Sequence, residues 1–319
     1  MNDNPFFSIC ITTFNRSDIL MSSITNILNQ SYTNFELIVI DDNSDDKHRE
    51  QIKIIVDSIS DPRVKFILND ENKGLARNRN LAISASNGFL FTFKDDDDKW
   101  DLDFLSIVYD EFSSDLDFII GGYRKDNVEH YFKKTKLALS DLVLKGYTPP
   151  VGSQIYRTDL IKEVMYDENI RSGVDHDLWI RCLNYKPDAL CLMLDKTLVT
   201  PDFFKSNMSG VKMTTDFSNR VNGIENSLNI WREDIEKSLG VGFFNHFKKQ
   251  YSIYLNRRFI TKFIKTKDIQ GIVSLLSNSY TRSSFFCGLM FLICDLFNRK
   301  LSTKKEKNII SPLFEAYER

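Results

Sequence analysis

Along the first hundred residues, short apolar runs alternate with stretches of helical periodicity. Phe6–Thr12 reads as a buried, β-branched strand. Ile19, Leu20, Ile24, Ile27 and Leu28 then recur at helical spacing behind a cap at Ser17 or Asp18. Phe35–Ile40 predicts the next strand, residues 45–59 a helix, and Val64–Leu68 a third strand. A turn at Asn72-Lys73-Gly74, a helix over Leu75–Ser86 and a strand over Phe89–Phe93 follow. Strand, helix and strand at this spacing predict βαβ units around a parallel sheet. The continuously apolar strands suit a sheet covered on both faces.

Beyond Trp100 the pattern is mixed. It predicts strands at Asp117–Tyr123, Val128–Phe132, Ala189–Leu194 and Lys196–Thr200, and helices at Thr158–Met165 and Asp175–Asn184. From about Phe217 the chain reads as mostly helical. The expected division is an α/β domain over 1–215 and a helical C-terminal region over 216–319.

In open α/β sheets, ligands bind beyond the carboxyl ends of the strands. Three such ends carry polar residues here: Thr12 to Arg16, Asp41 to Ser44 and Asp95 to Asp98. Four adjacent carboxylates repel one another, so a hard divalent cation is one reading of the last group and a solvated acidic turn the other. Asp41 and Asp42 suit either a ligand contact or an Asx-turn. GxGxxG and GxxxxGK[ST] are both absent, which argues against a dinucleotide fold and a P-loop.

Composition narrows the class. The chain has 319 residues, 42% hydrophobic and 27% charged, enough for a core without staples. Its net charge of −2 argues against a bulk nucleic-acid binder but conceals a split. Residues 241–319 hold 14 Lys+Arg against 5 Asp+Glu, a net of +9, which leaves −11 for the rest. The five cysteines, Cys10, Cys182, Cys191, Cys287 and Cys294, form no CxxC pair and predict reduced thiols in a reducing compartment. The polar start predicts no signal peptide. Phe285–Phe297 is the most apolar run, 13 residues with Asp295 inside, shorter than the roughly 20 that a spanning helix needs.

Five ordered segments carry a family resemblance: SICITTFNR, ELIVIDDNSDD, NKGLARNRNLAISASNG, FTFKDDDDKW and YDENIRSGVDHDLWIR. Together they resemble the nucleotide-sugar glycosyltransferases of family 2, over roughly residues 6–200. The resemblance implies the GT-A (Rossmann-like) fold, with a mixed, mostly parallel sheet flanked by helices. It implies inverting transfer from a nucleotide-diphosphate sugar, UDP above all, to a glycan or lipid-linked acceptor of a bacterial surface polysaccharide. It also implies Mn²⁺ or Mg²⁺. Thr12 and Asp42 match positions that hold the base, with Asn15 and Arg16 in the same donor loop. Arg79, with Asn80, matches a pair near the donor phosphates, and Arg77 is its alternative. Asp95 and Asp96 fall on the donor side of the Asp-x-Asp motif, and Asp97 and Asp98 on its metal side. Asp175 matches the catalytic base, with Asp177 as competitor and a helix N-cap as the plain structural reading. The family's Glu before that Asp is Val174 here.

The basic tail interleaves Lys248, Lys249, Arg257, Arg258, Lys262, Lys265 and Lys267 with aromatics. This fits either core packing with exposed charge or a peripheral site on the inner face of the cytoplasmic membrane. A sugar nucleotidyltransferase, a non-catalytic sugar-nucleotide binder and a membrane adapter are the competing functions.

Overall fold

The computed structural model describes residues 5–201, apart from 126, 127, 132, 145–148, 171 and 172, together with 217–240, 242–249 and 252. The first half is β1 (Phe7–Thr13), α1 (Ser17–Leu28), β2 (Phe35–Asp41), α2 (Asp46–Ser58), β3 (Val64–Leu68), α3 (Leu75–Ala85) and β4 (Leu90–Phe93). These strands pair in parallel in the order β3-β2-β1-β4. Period-two alternation decides which helix each strand residue meets. Leu37 and Val39 pack with Leu20, Ile24 and Ile52 of α1 and α2, whereas Ile38 and Ile40 join Ala82 and Ile83 of α3.

The second half adds β5 (Lys99–Trp100), α4 (Phe104–Glu111), β6 (Phe118–Lys125), β7 (Val128–His130), β8 (Thr135–Ala138) and α5 (Leu139–Leu144). A 3₁₀ turn at Val151–Ser153 leads into β9 (Gln154–Arg157), α6 (Thr158–Val164), α7 (Val174–Tyr185) and β10 (Leu190–Thr200). All ten strands form one sheet, with the path β3-β2-β1-β4-β9-β6-β10-β5 and with β7 and β8 alongside β6 and β10. β9 runs antiparallel to both neighbours, while β10 is parallel to β6. The sheet is therefore mixed, and its longest ladders are parallel. Where two strands were expected around Asp195-Lys196, β10 is continuous, with register shifts between Met193 and Val199. A β-bulge of this kind inserts a residue without ending the strand.

α8 (Phe217–Leu239) packs against α7. Its buried Leu228, Trp231 and Ile235 lie at helical spacing and join Trp179 and Leu183 in one apolar cluster. Phe244 and Phe247 belong to the same cluster, while Lys248 and Lys249 are exposed. In this first stretch of the tail two aromatics are packed and the charge is exposed, whereas Phe243 is 45% exposed. The basic residues from Arg257 to Lys267 and the Phe285–Phe297 run lie outside the described residues. Among the described residues, no helix is long and apolar enough to cross a membrane.

Candidate functional site

β1, β2 and β4 end side by side, with Thr13 opposite Asp41 and Cys10 opposite Phe93. β4 stops early relative to β1, so residues 94–98 cross the top of the sheet from the point where the Lys94 N–H donates to the Cys10 carbonyl at 2.8 Å. The chain leaves β1 through Asn15 at φ 54° and β2 through Asn43 at φ 60°. Both are left-handed positions that Asn tolerates better than most residues.

Much of this rim braces itself. The Asn15 N–H donates to Ser44 Oγ at 2.9 Å, and Asn15 Oδ1 accepts the Asp45 N–H at 2.7 Å. Asp42 Oδ1 accepts from the Lys73 N–H at 2.7 Å and Asn69 Nδ2 at 3.2 Å, and its Oδ2 accepts the Gly74 N–H at 3.0 Å. A carboxylate has about four lone-pair sites. Asp42 thus holds the turn before α3 and keeps capacity at Oδ2 for a ligand donor. Thr12 is partly exposed beside it.

The four aspartates take four different environments. Asp95 is the most open, with 49% of its side-chain surface exposed. Partial loss of hydration, with the push of Asp175 and Asp97, outweighs the pull of Arg79 and raises its pKa to about 6. Asp96 is buried, accepts from Thr13 Oγ1 at 3.0 Å and pairs with Arg16 Nη1. Burial pushes it up to about 7, with Arg16 opposing. Asp97 Oδ2 binds Arg16 Nη2 at 2.7 Å. Asp98 is buried against the Val151–Ser153 turn, where a Cβ on Gly152 would lie 2.8 Å from its Oδ2. Beneath the group, the buried Lys94 ammonium donates to Ser23 Oγ, and burial lowers its pKa to about 8 against the pull of Asp98 and Asp96.

Arg79 joins the acidic run to α7. Its buried guanidinium donates through Nη1 to Asp175 Oδ1 at 2.6 Å, and Nη2 lies 3.8 Å from Asp95. The group also sits over the rings of Phe93 and Tyr166, 4.9 and 5.5 Å from their centroids. Burial alone would depress its pKa, but Asp175, Tyr166 and Asp95 outweigh that and hold it above the ordinary arginine value.

The two candidate bases differ sharply. Asp175 sits in the first turn of α7, after Gly173 at φ 76°, with 32% of its side chain exposed. Asp177 is buried, accepting the Asp167 N–H at 3.1 Å and Trp231 Nε1–H at 3.0 Å. His176 is also buried, its ring tilted against Trp231. Arg77 forms an exposed pair with Glu168, and Asn80 clasps the Tyr166 backbone through Nδ2 and Oδ1. Neither reaches the rim through these contacts.

Sequence reasoning placed Thr13 at the rim without giving it a role, and gave none to Lys94 or Trp231. The first two carried a readable signal, a polar residue closing an apolar strand. Trp231 binds Asp177 across 54 positions, and nothing local announces that contact. Among the described residues, no three His, Cys, Asp or Glu side chains converge as a metal cage. One or two carboxylates completed by phosphate oxygens is nonetheless a usual arrangement for Mg²⁺, and carboxylate oxygens also suit Mn²⁺.

Comparison with known proteins bears on the family and the fold. The profile described as "Glycosyl transferase family 2" matches residues 8–171. The putative colanic acid biosynthesis glycosyl transferase WcaA of Escherichia coli K12 is 29% identical over 205 residues, covering 57% of this chain and 67% of that protein. The Escherichia coli UDP-Glc:alpha-D-GlcNAc-diphosphoundecaprenol beta-1,3-glucosyltransferase WfgD is 33% identical over 202 residues, 63% of this chain and 65% of its own. The chain thus spans about two thirds of the length of these relatives. Among solved structures, S. aureus TarS 1-349 in complex with UDP-GlcNAc superposes with a TM-score of 0.60 at 18% identity, covering 90% of this chain and 80% of that one. The mannosyltransferase PcManGT of Pyrobaculum calidifontis, in complex with GDP-Man and Mn2+, gives 0.52 at 12% identity, with 94% and 88% covered. At these identities the structural likeness establishes the fold.

Proposed function

The chain belongs to glycosyl transferase family 2, and from that premise we propose that it transfers a sugar from a UDP-sugar to a hydroxyl of a glycan or lipid-linked acceptor in surface-polysaccharide synthesis. The observation that carries this reading is the Arg79 bridge. One buried guanidinium binds Asp175 and approaches Asp95, so the candidate base faces the acidic run across a single side chain.

Asp175 takes the acceptor hydroxyl proton as that oxygen attacks the anomeric carbon. The bond from that carbon to the diphosphate oxygen breaks, and the nucleoside diphosphate leaves with the electron pair. General-base assistance of this kind contributes roughly 10²–10⁴-fold. Asp177 already accepts two N–H groups in a buried seam, which favours Asp175. Asp97, with Asp95 and Asp98 beside it, is the set that would hold Mn²⁺ or Mg²⁺. Such a cation supplies charge stabilisation for the departing diphosphate. Thr12 and Asp42 receive the base at the rim of β1 and β2, and Arg79 orients Asp175 and the donor end of Asp95.

The relatives' names support the donor and acceptor classes, since WfgD uses UDP-Glc and a diphosphoundecaprenol acceptor. An acceptor of that kind would place the enzyme at the inner membrane face, with the basic region after 241 toward the lipid. Co-sedimentation with anionic liposomes at low salt tests that position, and failure to co-sediment removes it.

The decisive experiment is a thermal-shift panel of nucleotide sugars with and without Mn²⁺. A ligand at 100 times its Kd should stabilise the fold by about 2.7 kcal/mol. Absence of any shift with UDP-sugars and Mn²⁺ would overturn the donor assignment. Val174, where the family pattern has Glu, favours a second reading as a non-catalytic sugar-nucleotide binder. Donor binding without transfer to any polysaccharide-type acceptor would support it.

A further inference from the structure

Arg16 holds two carboxylates of the acidic run at once. Nη1 pairs with Asp96 Oδ1, and Nη2 donates to Asp97 Oδ2 at 2.7 Å. Asp96 is braced from its other oxygen by Thr13 Oγ1 at 3.0 Å. The planar fork of a guanidinium matches two carboxylate oxygens in a way that a lysine ammonium does not. Arg16 stands immediately before α1, beyond the left-handed Asn15, and a third of its side chain is exposed. Its position therefore combines a firm grip with an open side toward the rim. Among the described residues, Lys94 and Arg79 also lie by the aspartates but are buried, Lys94 on Ser23 and Arg79 between Asp175 and Asp95.

We propose that Arg16 is a resident counter-cation, which grips Asp96 and Asp97 in place of a divalent ion and passes to the donor diphosphate when the ion is bound. This rests on the metal-dependent reading above. A guanidinium 2.7 Å from Asp97 Oδ2 repels a divalent cation brought to the same carboxylate, so ion binding favours release of Arg16. Released from Asp97, the same fork suits two phosphate oxygens. Arg16 thereby makes ion and donor binding favour each other, since the diphosphate gives the guanidinium a new partner. Such coupling is reciprocal by linkage.

The test is Mn²⁺ titration followed by EPR, with and without UDP, on the wild type and on Arg16→Met and Arg16→Lys. Without UDP, Arg16→Met should bind Mn²⁺ about tenfold or more tighter than the wild type, because a charge-assisted hydrogen bond no longer has to be broken. UDP should tighten Mn²⁺ binding in the wild type and do so much less in Arg16→Met. Arg16→Lys, which keeps the charge without the fork, should fall between them. It stands in if the Met variant fails to fold. Equal or weaker Mn²⁺ binding by the variants overturns the role of Arg16 and leaves metal dependence intact. Mn²⁺ binding by Arg16→Met alone supports the role in its strongest form. No Mn²⁺ binding by any protein, with or without UDP, overturns both readings.

Discussion

Asp175 and Asp177 share a helix turn and a side-chain type, yet their surroundings give them different work. Asp175→Asn should leave UDP-sugar stabilisation by thermal shift unchanged and reduce transfer by roughly 10²–10⁴-fold, the range of a general base. Asp177→Asn should do the reverse. It weakens the acceptor for two buried N–H groups and should cost about 1–3 kcal/mol in urea unfolding while folded enzyme stays active. Full activity in Asp175→Asn would remove the base assignment. The residues themselves were legible in the sequence, because an Asp run at a strand end and an Asp at a helix start are local signals. Their pairings were not. Arg16 meets Asp96 across 80 positions and Arg79 meets Asp175 across 96, distances over which only the fold decides what touches. Arg79 was matched to the donor phosphates by resemblance, whereas its observed partners are carboxylates.

Among the elements, the βαβ half follows its sequence pattern closely, because long apolar strands and amphipathic helices repeat their signal over many residues. The pieces that pattern did not reveal are β5, α4, β8, α5 and β9, with 2, 8, 4, 6 and 4 residues. Such lengths complete too few periods to stand out. α8 touches the helix that carries both candidate bases. Trp231 fills the seam with α7 and donates to Asp177. Trp231→Phe keeps an aromatic ring there and loses the N–H. It should lower stability by about 1–3 kcal/mol by urea denaturation, with UDP-sugar affinity preserved. Loss of affinity as large as the loss of stability would mean that α8 shapes the donor site directly.

For the molecule as a whole, the acidic rim sets a pH dependence. Asp95 and Asp96 rise from an ordinary 3.8 to about 6 and about 7 in the fold. Between those limits the folded chain keeps protons that the unfolded chain has released, so this contribution to stability declines as pH rises through the window. Tm without ligand should therefore fall from pH 5 to pH 7.5 relative to an Asp96→Asn variant. Mn²⁺ with UDP should bind more tightly over the same interval, as protons leave the carboxylates. A Tm difference between the two proteins that does not change with pH would reject this account. Arg16, Arg79 and Lys94 offset part of the acidic charge gathered at the rim. The Trp231–Asp177 bond also sets a rule for engineering. A chimera that grafts a relative's tail near residue 215 would exchange the partner of a buried carboxylate along with the rest of the tail. A splice placed beyond 249 keeps the Trp231–Asp177 bond, so such a hybrid changes the tail without stripping Asp177 of its partner.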